Sequence, residues 1–276
     1  MLNKCIFPAA GYGTRFLPVT KAIPKELLPI LNKPLIEYAV QEAFESGISD
    51  MGLILNNEKK SIMQYFENKD NLSSFLKKSN KENLLSSQIL LSANCNFFYI
   101  NQEVMLGLGH AIHQSKEFVG DDSFAVILPD DLCHSNTSPV LKQMIDIYSS
   151  NKDKCIVALE EVNNEEVSKY GIVSGMKILG NKNLFSIDSM IEKPVKENAP
   201  SNLAIIGRYI FTPEIFNAIE KVRPDKNGEI QITDALNILA TQNKVLGLVF
   251  NGRRLDCGSV DGFVEANLFF RSLLKI

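Results

Sequence analysis

Residues 4–40, KCIFPAAGYGTRFLPVTKAIPKELLPILNKPLIEYAV, decide the fold. The apolar run Cys5 to Ala9 has the length of one buried strand and turns at once into a loop carrying Gly11 and Gly13, then Thr14 and Arg15. Glycines let a backbone come within hydrogen-bonding distance of a phosphate or a base, because a Cβ would hold the ligand off and would disfavour positive φ. Arg15 adds a permanent positive charge whose donor fork suits phosphate oxygens. Lys21 and Lys25 follow on the same loop, which Pro18, Pro24 and Pro29 stiffen. A dinucleotide fingerprint is disfavoured: it needs a third glycine opening a helix, whereas Phe16 stands there and Leu17-Pro18 deny the helix start. The G-x-x-x-x-G-K-[ST] phosphate loop occurs nowhere in the chain.

Outward from this stretch, Pro34 opens a helix with Leu35, Tyr38, Ala39 and Ala43 at helical spacing and Gly47 as its stop. Met51 to Leu55 reads as a second strand, completing a strand, crossover, strand unit of an α/β sheet. With 276 residues, 45% hydrophobic and 22% charged, the chain has material for one large core and reads as a single domain over 1–276. The polar run between Glu58 and Ser92, including NKDNLSSFLKKSNKENLLSS, predicts a solvated helical insertion at about 58–92 without deep core. A last helix is expected at about 260–274.

A net charge of −3 gives no general attraction to nucleic acid or an anionic membrane, so phosphate chemistry must rest on locally placed cations. Five scattered cysteines, with no C-x-x-C and no zinc spacing, read as reduced core thiols of a cytoplasmic protein. Neither an export signal nor a membrane span is expected.

Further along, the strand Asn96 to Ile100 runs into NQEVMLGLGHAI. There Gln102 offers amide groups for a base edge, and Gly107 and Gly109 offer bare backbone for a flat ring; a glycine-bearing βα loop with a surface Gln reads equally well. His110 and His113 read as helix residues, since no carboxylate or third His joins them. The strand Phe124 to Leu128 ends in Asp130 and Asp131, where open α/β sheets place ligand chemistry, and one of the two is expected to cap a turn. Two later strands carry Gly171 and end in Glu192-Lys193, which is either a surface ion pair or a pair dividing labour on a sugar phosphate. Thr233 and Asp234 are expected as N-terminal groups of a helix, and RRLDCGSVDGF places Asp256 after a short strand.

GYGTRFLP followed by KELLP resembles the G-x-G-[ST]-R-x-x-P and K-x-[LM]-L-P signature of the sugar-nucleotide pyrophosphorylases, which join a nucleoside triphosphate to a sugar 1-phosphate. KAIPKELLP, GLGH, VILPDD, EKP, APSNLAIIGRY and GEIQITDAL, in this order, are similar to its bacterial members that use UTP and glucose 1-phosphate, and the likeness runs over about residues 4 to 270. The resemblance implies a Rossmann-like three-layer α/β nucleotidyltransferase fold with a mixed, mainly parallel central sheet and a small additional β element. It implies uridylyl transfer with release of pyrophosphate, Mg²⁺ held by Asp130 and Asp256, and Arg15, Lys25 and Lys193 as catalytic cations. Ala10, Gly11, Gly13, Glu26, Gln102 and Gly107 would surround the nucleotide, and Gly171, Glu192 and Lys193 the sugar phosphate. A homo-oligomer, dimer or tetramer, is implied as well. The same fold working with dTTP or another sugar 1-phosphate, or a silent nucleotide-binding protein, stays open at this point.

Overall fold

Alternating burial carries the opening run into the middle of a sheet. In the computed structural model, which describes residues 2–67 and 70–274, β1 (Lys4–Pro8) buries Cys5 and Phe7 in the core of one face and Ile6 in that of the other. Apolar residues on both faces are what a strand covered by helices on each side requires. The basic loop ends in a short ribbon, β2 (Pro29–Ile30) with β3 (Lys33–Pro34), and Pro34 leads into α1 (Leu35–Glu45). β4 (Asp50–Leu55) then pairs parallel with β1, the unit the sequence predicts.

The stretch expected to be a polar insertion is instead the next crossover. α2 (Lys60–Phe66), α3 (Asp70–Lys78) and α4 (Ser86–Asn94) lie between β4 and β5 (Asn96–Asn101), which is parallel to and beside β4. Parallel neighbours need a long connection, usually helical. Ile62 and Leu91 are buried in the core, and Phe66 stacks on Phe97 with ring centroids 4.4 Å apart. Only α3 is the solvated helix expected, with Leu76 its one buried side chain among those described.

The chain continues through α5 (Gly107–His113), α6 (Lys116–Val119), β6 (Phe124–Ile127), β7 (Asp131–His134), α7 (Val140–Ser149) and β8 (Cys155–Glu161). It then forms β9 (Gly171–Lys177), β10 (Leu184–Glu192), β11 (Leu203–Phe211), α8 (Glu214–Ile219), α9 (Ile232–Ala240), β12 (Val245–Val249), β13 (Arg253–Asp256) and α10 (Val260–Leu273). The nine-stranded sheet has the order β5-β4-β1-β6-β11-β8-β12-β10-β9. It is mixed: β5, β4, β1 and β6 pair parallel, as do β8 and β12, while β11 and β10 run antiparallel to their neighbours. α1 and α7 cover one face and α5, α8 and α9 the other, giving three layers. Among the described residues no helix is long and apolar enough to cross a membrane, and all five cysteines are free, with Cys133 half-buried and the others buried.

Two departures from a plain sheet position the site. β6 stops at Ile127, opposite Arg208, and beyond that point β9 takes its place beside β11, pairing Ile172 with Ala204. Separately, β7 and β13 form an antiparallel ribbon in which Asp256 lies opposite Asp131, and this is the small additional β element. α10 packs over both ribbons through a cluster of Ile30, Leu35, Leu132, Leu255, Cys257 and Ala266. Ser259 caps α10 by accepting the Gly262 N–H.

Candidate active site

Gly13 adopts φ +66°, and a Cβ there would lie 3.2 Å from Lys25 and Thr20 side-chain atoms, so this glycine serves the loop's own path. Gly11 has nothing within 4 Å of the position of a Cβ, and its bare Cα faces open space. The loop is pinned from outside and from within. Asn56 donates its amide to the Ala10 carbonyl at 2.6 Å, the Thr20 hydroxyl donates to the Gly13 carbonyl at 2.9 Å, and Phe16 packs edge-on against Phe263 with centroids 5.7 Å apart.

Glu26 departs from the expectation that it borders the nucleotide. Its carboxylate is 1% exposed and accepts two hydrogen bonds from Lys59, at 2.7 and 2.9 Å. Adjacent residues on this turn face opposite ways, for the Lys25 ammonium lies 2.5 Å from Asp130 Oδ2. Burial alone would push the Asp130 carboxyl up, but the charge and hydrogen bond of Lys25, with Arg15 behind it, hold it below the ordinary carboxylate value.

Asp130 and Asp256 converge, though not as ends of one sheet. Asp256 ends β13 of the ribbon, and the following Cys257 N–H donates to the Asp130 carbonyl at 2.8 Å. At Gly258 a Cβ would stand 3.0 Å from Asp256 Oδ1, 3.2 Å from Arg15 Nη1 and 3.4 Å from Asp130 Oδ2, so the missing side chain leaves a hollow flanked by two carboxylates. Gly258 also donates its N–H to Asp256 Oδ1 at 2.9 Å. Asp131, one of the pair from which a turn cap was expected, is committed inward, accepting the Gly207 N–H at 2.7 Å and a hydrogen bond from Arg254 Nε at 2.6 Å.

A cleft of about 300 Å³ takes in Arg15, Asp130 and Asp256 together with Gly171, Glu192 and Lys193. Thr233, expected to start α9, donates its hydroxyl to Glu192 Oε2 at 2.6 Å; Gln231 holds the N-cap position without a side-chain cap. A Cβ on Gly171 would lie 3.0 Å from Thr233 Oγ1 and 3.2 Å from Glu192 Oε2. Lys193 sits 3.3 Å from Glu192 with its side chain 56% exposed, so that ion pair holds it only weakly.

Ala10, Gly11, Gly13, Gln102 and Gly107 do not line this cleft. They follow β1 and β5, which run parallel with β6, and so lie at the same sheet edge as Asp130. Gln102 is 3% exposed with Nε2 2.9 Å from Nδ1 of His110, which lies within α5 as expected. Gly109 is buried and Gly107 half-buried, and on the side where a Cβ would project from either, that Cβ would lie within 2.9 Å of the Ile230 carbonyl oxygen. Hydrogen bonds of 2.8 Å from Gly109 N–H to Ile230 O and from Ile230 N–H to Leu106 O hold that close approach. The sequence assigns no role to Asn56, Lys59, Tyr170 or Arg254, and assigns Thr233 only a helix start. For Arg254 a signal existed, since it stands two residues before Asp256 on a strand and therefore shares its face.

A family model described as nucleotidyl transferase matches residues 4–272. The chain belongs to the nucleotidyl transferase family. This nucleotidyl transferase is 49% identical to a UTP–glucose-1-phosphate uridylyltransferase of Pseudomonas aeruginosa, over 100% of this chain and 98% of that relative. The crystal structure of a UDP-glucose pyrophosphorylase complexed with UDP-glucose matches it with a TM-score of 0.91 and 48% identity, covering 99% of this chain and 100% of that one. A UTP-bound UGPase from Acinetobacter baumannii matches this nucleotidyl transferase with a TM-score of 0.89 and 35% identity, covering 98% of it and 93% of its own chain.

Proposed function

We propose that this nucleotidyl transferase transfers the uridylyl group of UTP to glucose 1-phosphate, forming UDP-glucose and releasing pyrophosphate. One observation carries the reading: a single cleft joins paired carboxylates and a phosphate-type arginine to a carboxylate and lysine suited to a sugar phosphate. The full-length similarity to a uridylyltransferase supports the choice of UTP and glucose 1-phosphate.

A phosphate oxygen of the sugar attacks the α-phosphorus of UTP in line, and the protein supplies positioning and charge rather than a nucleophile. Arg15 and Lys25 steady the triphosphate and the departing pyrophosphate. Lys193 screens the two approaching phosphates, while Glu192, oriented by Thr233, accepts hydrogen bonds from sugar hydroxyls. The Ala10–Gly11 backbone, with Gln102 and Gly107, surrounds uracil. Glu26 acts one step back, bracing the loop through Lys59.

The carboxylate oxygens of Asp130 and Asp256 that border Gly258 are donors of the kind a hard cation takes, and Arg15 Nη1 and the Lys25 ammonium lie against the same group. Mg²⁺ needs few protein ligands, because it keeps waters and takes substrate phosphate oxygens. Asp130 and Asp256 would hold it, and when bound it neutralises charge on the phosphates. The same reading makes 1–276 one functional domain and the protein a cytoplasmic homo-oligomer.

The test is release of pyrophosphate from UTP, glucose 1-phosphate and Mg²⁺, run beside dTTP and a panel of other sugar 1-phosphates. Pyrophosphate should form fastest with the first pair. No release, or a preference for dTTP, refutes the assignment.

A further inference from the structure

We infer that Arg254 is a positioning residue that locks Asp256 in the orientation its ligand needs and ties that carboxylate to the sugar-phosphate side of the cleft; the inference rests on the reading of Asp130 and Asp256 as metal ligands. The Arg254 side chain is 9% exposed although it borders the cleft. Each guanidinium nitrogen has a partner. Nε lies 2.6 Å from Asp131 Oδ1, Nη2 lies 3.3 Å from Asp256 Oδ2, and Nη1 lies 3.2 Å from the Tyr170 hydroxyl and 3.4 Å from Glu160 Oε2. The fork also rests on the Tyr170 ring, 4.9 Å from its centroid. A group engaged on every nitrogen and on one face acts through its partners rather than on substrate.

Asp256 is thereby held at both oxygens, Oδ1 by the Gly258 N–H and Oδ2 by Arg254. The two contacts favour one rotamer of a side chain that is otherwise 44% exposed, and in it Oδ1 lies 3.0 Å from the position of a Gly258 Cβ. Such partners behind a metal carboxylate set its geometry. The other arm of the fork reaches Tyr170, whose carbonyl accepts the Lys193 N–H at 2.9 Å while Lys193 sits at φ +46°. One planar cation thus links Tyr170, which precedes Gly171 and accepts from Lys193, to the strand that bears Asp256.

Charge and position make opposite predictions. If Arg254 only offset the charges of Asp131, Glu160 and Asp256, Arg254→Lys would behave as wild type, and Arg254→Met would bind a divalent cation more tightly. An ammonium, however, is a point charge that cannot meet Asp131, Asp256 and Tyr170 together. Positioning therefore predicts that Arg254→Lys also weakens the site.

The probe is Mn²⁺–UTP, followed without sugar phosphate by the water-proton relaxation enhancement of the ternary complex, alongside steady-state kinetics and circular dichroism. Arg254→Lys should fold, bind Mn²⁺–UTP about tenfold more weakly and lose about tenfold to hundredfold in kcat, with a raised KM for glucose 1-phosphate. Tyr170→Phe, which keeps the ring and removes one hydrogen bond, should shift the same readouts in the same direction by less, and it decides the matter if Arg254→Lys does not fold. Wild-type values in Arg254→Lys, or in Tyr170→Phe where that variant decides, overturn the inference. In that case loss of Mn²⁺–UTP binding in Asp256→Asn would leave the metal reading standing. If Asp256→Asn binds Mn²⁺–UTP like wild type, the metal reading falls and the inference with it.

Discussion

At Gly11 a side chain would meet nothing of the protein, whereas at Gly13 it would meet Lys25 and Thr20 and a left-handed backbone as well. The two glycines of one motif therefore answer to different demands. Gly11→Val should fold normally and lose at least about tenfold in UTP affinity, roughly 1.4 kcal/mol, because the branched side chain enters space reserved for ligand. Calorimetric titration with UTP checks this, and unchanged affinity in a folded variant would remove Gly11 from the pocket. Gly13→Ala should instead lower the denaturation midpoint, with a stability loss of about 1–2 kcal/mol from the left-handed conformation. Glu192→Ala should raise the KM for glucose 1-phosphate far more than that for UTP, since only contacts on the sugar side are removed; equal effects on both would count against its placement. These residues were legible because each stands in a short motif. Thr233 was not, for its partner Glu192 lies 41 positions away and nothing local marks a hydroxyl that leaves its own helix end for another strand.

On the loop from Gly11 to Leu28, adjacent residues take opposite sides. Lys25 and Glu26 are neighbours on one turn, yet Lys25 reaches Asp130 in the cleft and Glu26 reaches Lys59 beneath the loop. Burial pushes the Glu26 carboxyl up and the Lys59 ammonium down, and their pairing only partly offsets this. Lys59→Met leaves the buried Glu26 without its partner and should cost about 3–5 kcal/mol in urea denaturation, while Glu26→Leu with Lys59→Met should recover most of that loss. If the double variant also keeps wild-type UTP affinity, Glu26 braces the loop and touches no nucleotide. The crossover between β4 and β5 was misjudged because its anchors Ile62, Phe66 and Leu91 are too sparse among Lys, Asn and Ser to form a periodic stripe. Only the parallel pairing of the flanking strands reveals what the segment is for.

Over the whole molecule, the α/β sheet was legible within the first fifty residues because β1, α1 and β4 are contiguous, whereas the site is assembled from contacts spanning most of the chain. Lys25 and Asp130 are 105 positions apart, and Arg254 and Asp131 are 123 apart. The apolar runs before Asp130 and Asp256 hinted at convergence, but the ribbon of β7 and β13 and the Cys257 hydrogen bond that produce it have no local signature. If the two carboxylates share one Mg²⁺, they act as a unit, and loss of either removes much of the same charge stabilisation of the transferring phosphoryl group. Asp130→Asn and Asp256→Asn should each lower turnover by about a hundredfold to a thousandfold, the size of effect seen when a preorganised electrostatic contact is lost. Asparagine is the right replacement at Asp130, because its amide oxygen can still accept from Lys25 and the loop keeps its anchor. The double variant should be scarcely worse than either single, since groups acting together are strongly non-additive. Raising Mg²⁺ should restore part of the activity of each single variant and little of the double. If the two losses multiply instead, or if Asp256→Asn keeps both its turnover and its Mg²⁺ dependence, the carboxylates work separately and the hollow at Gly258 is not a shared metal site.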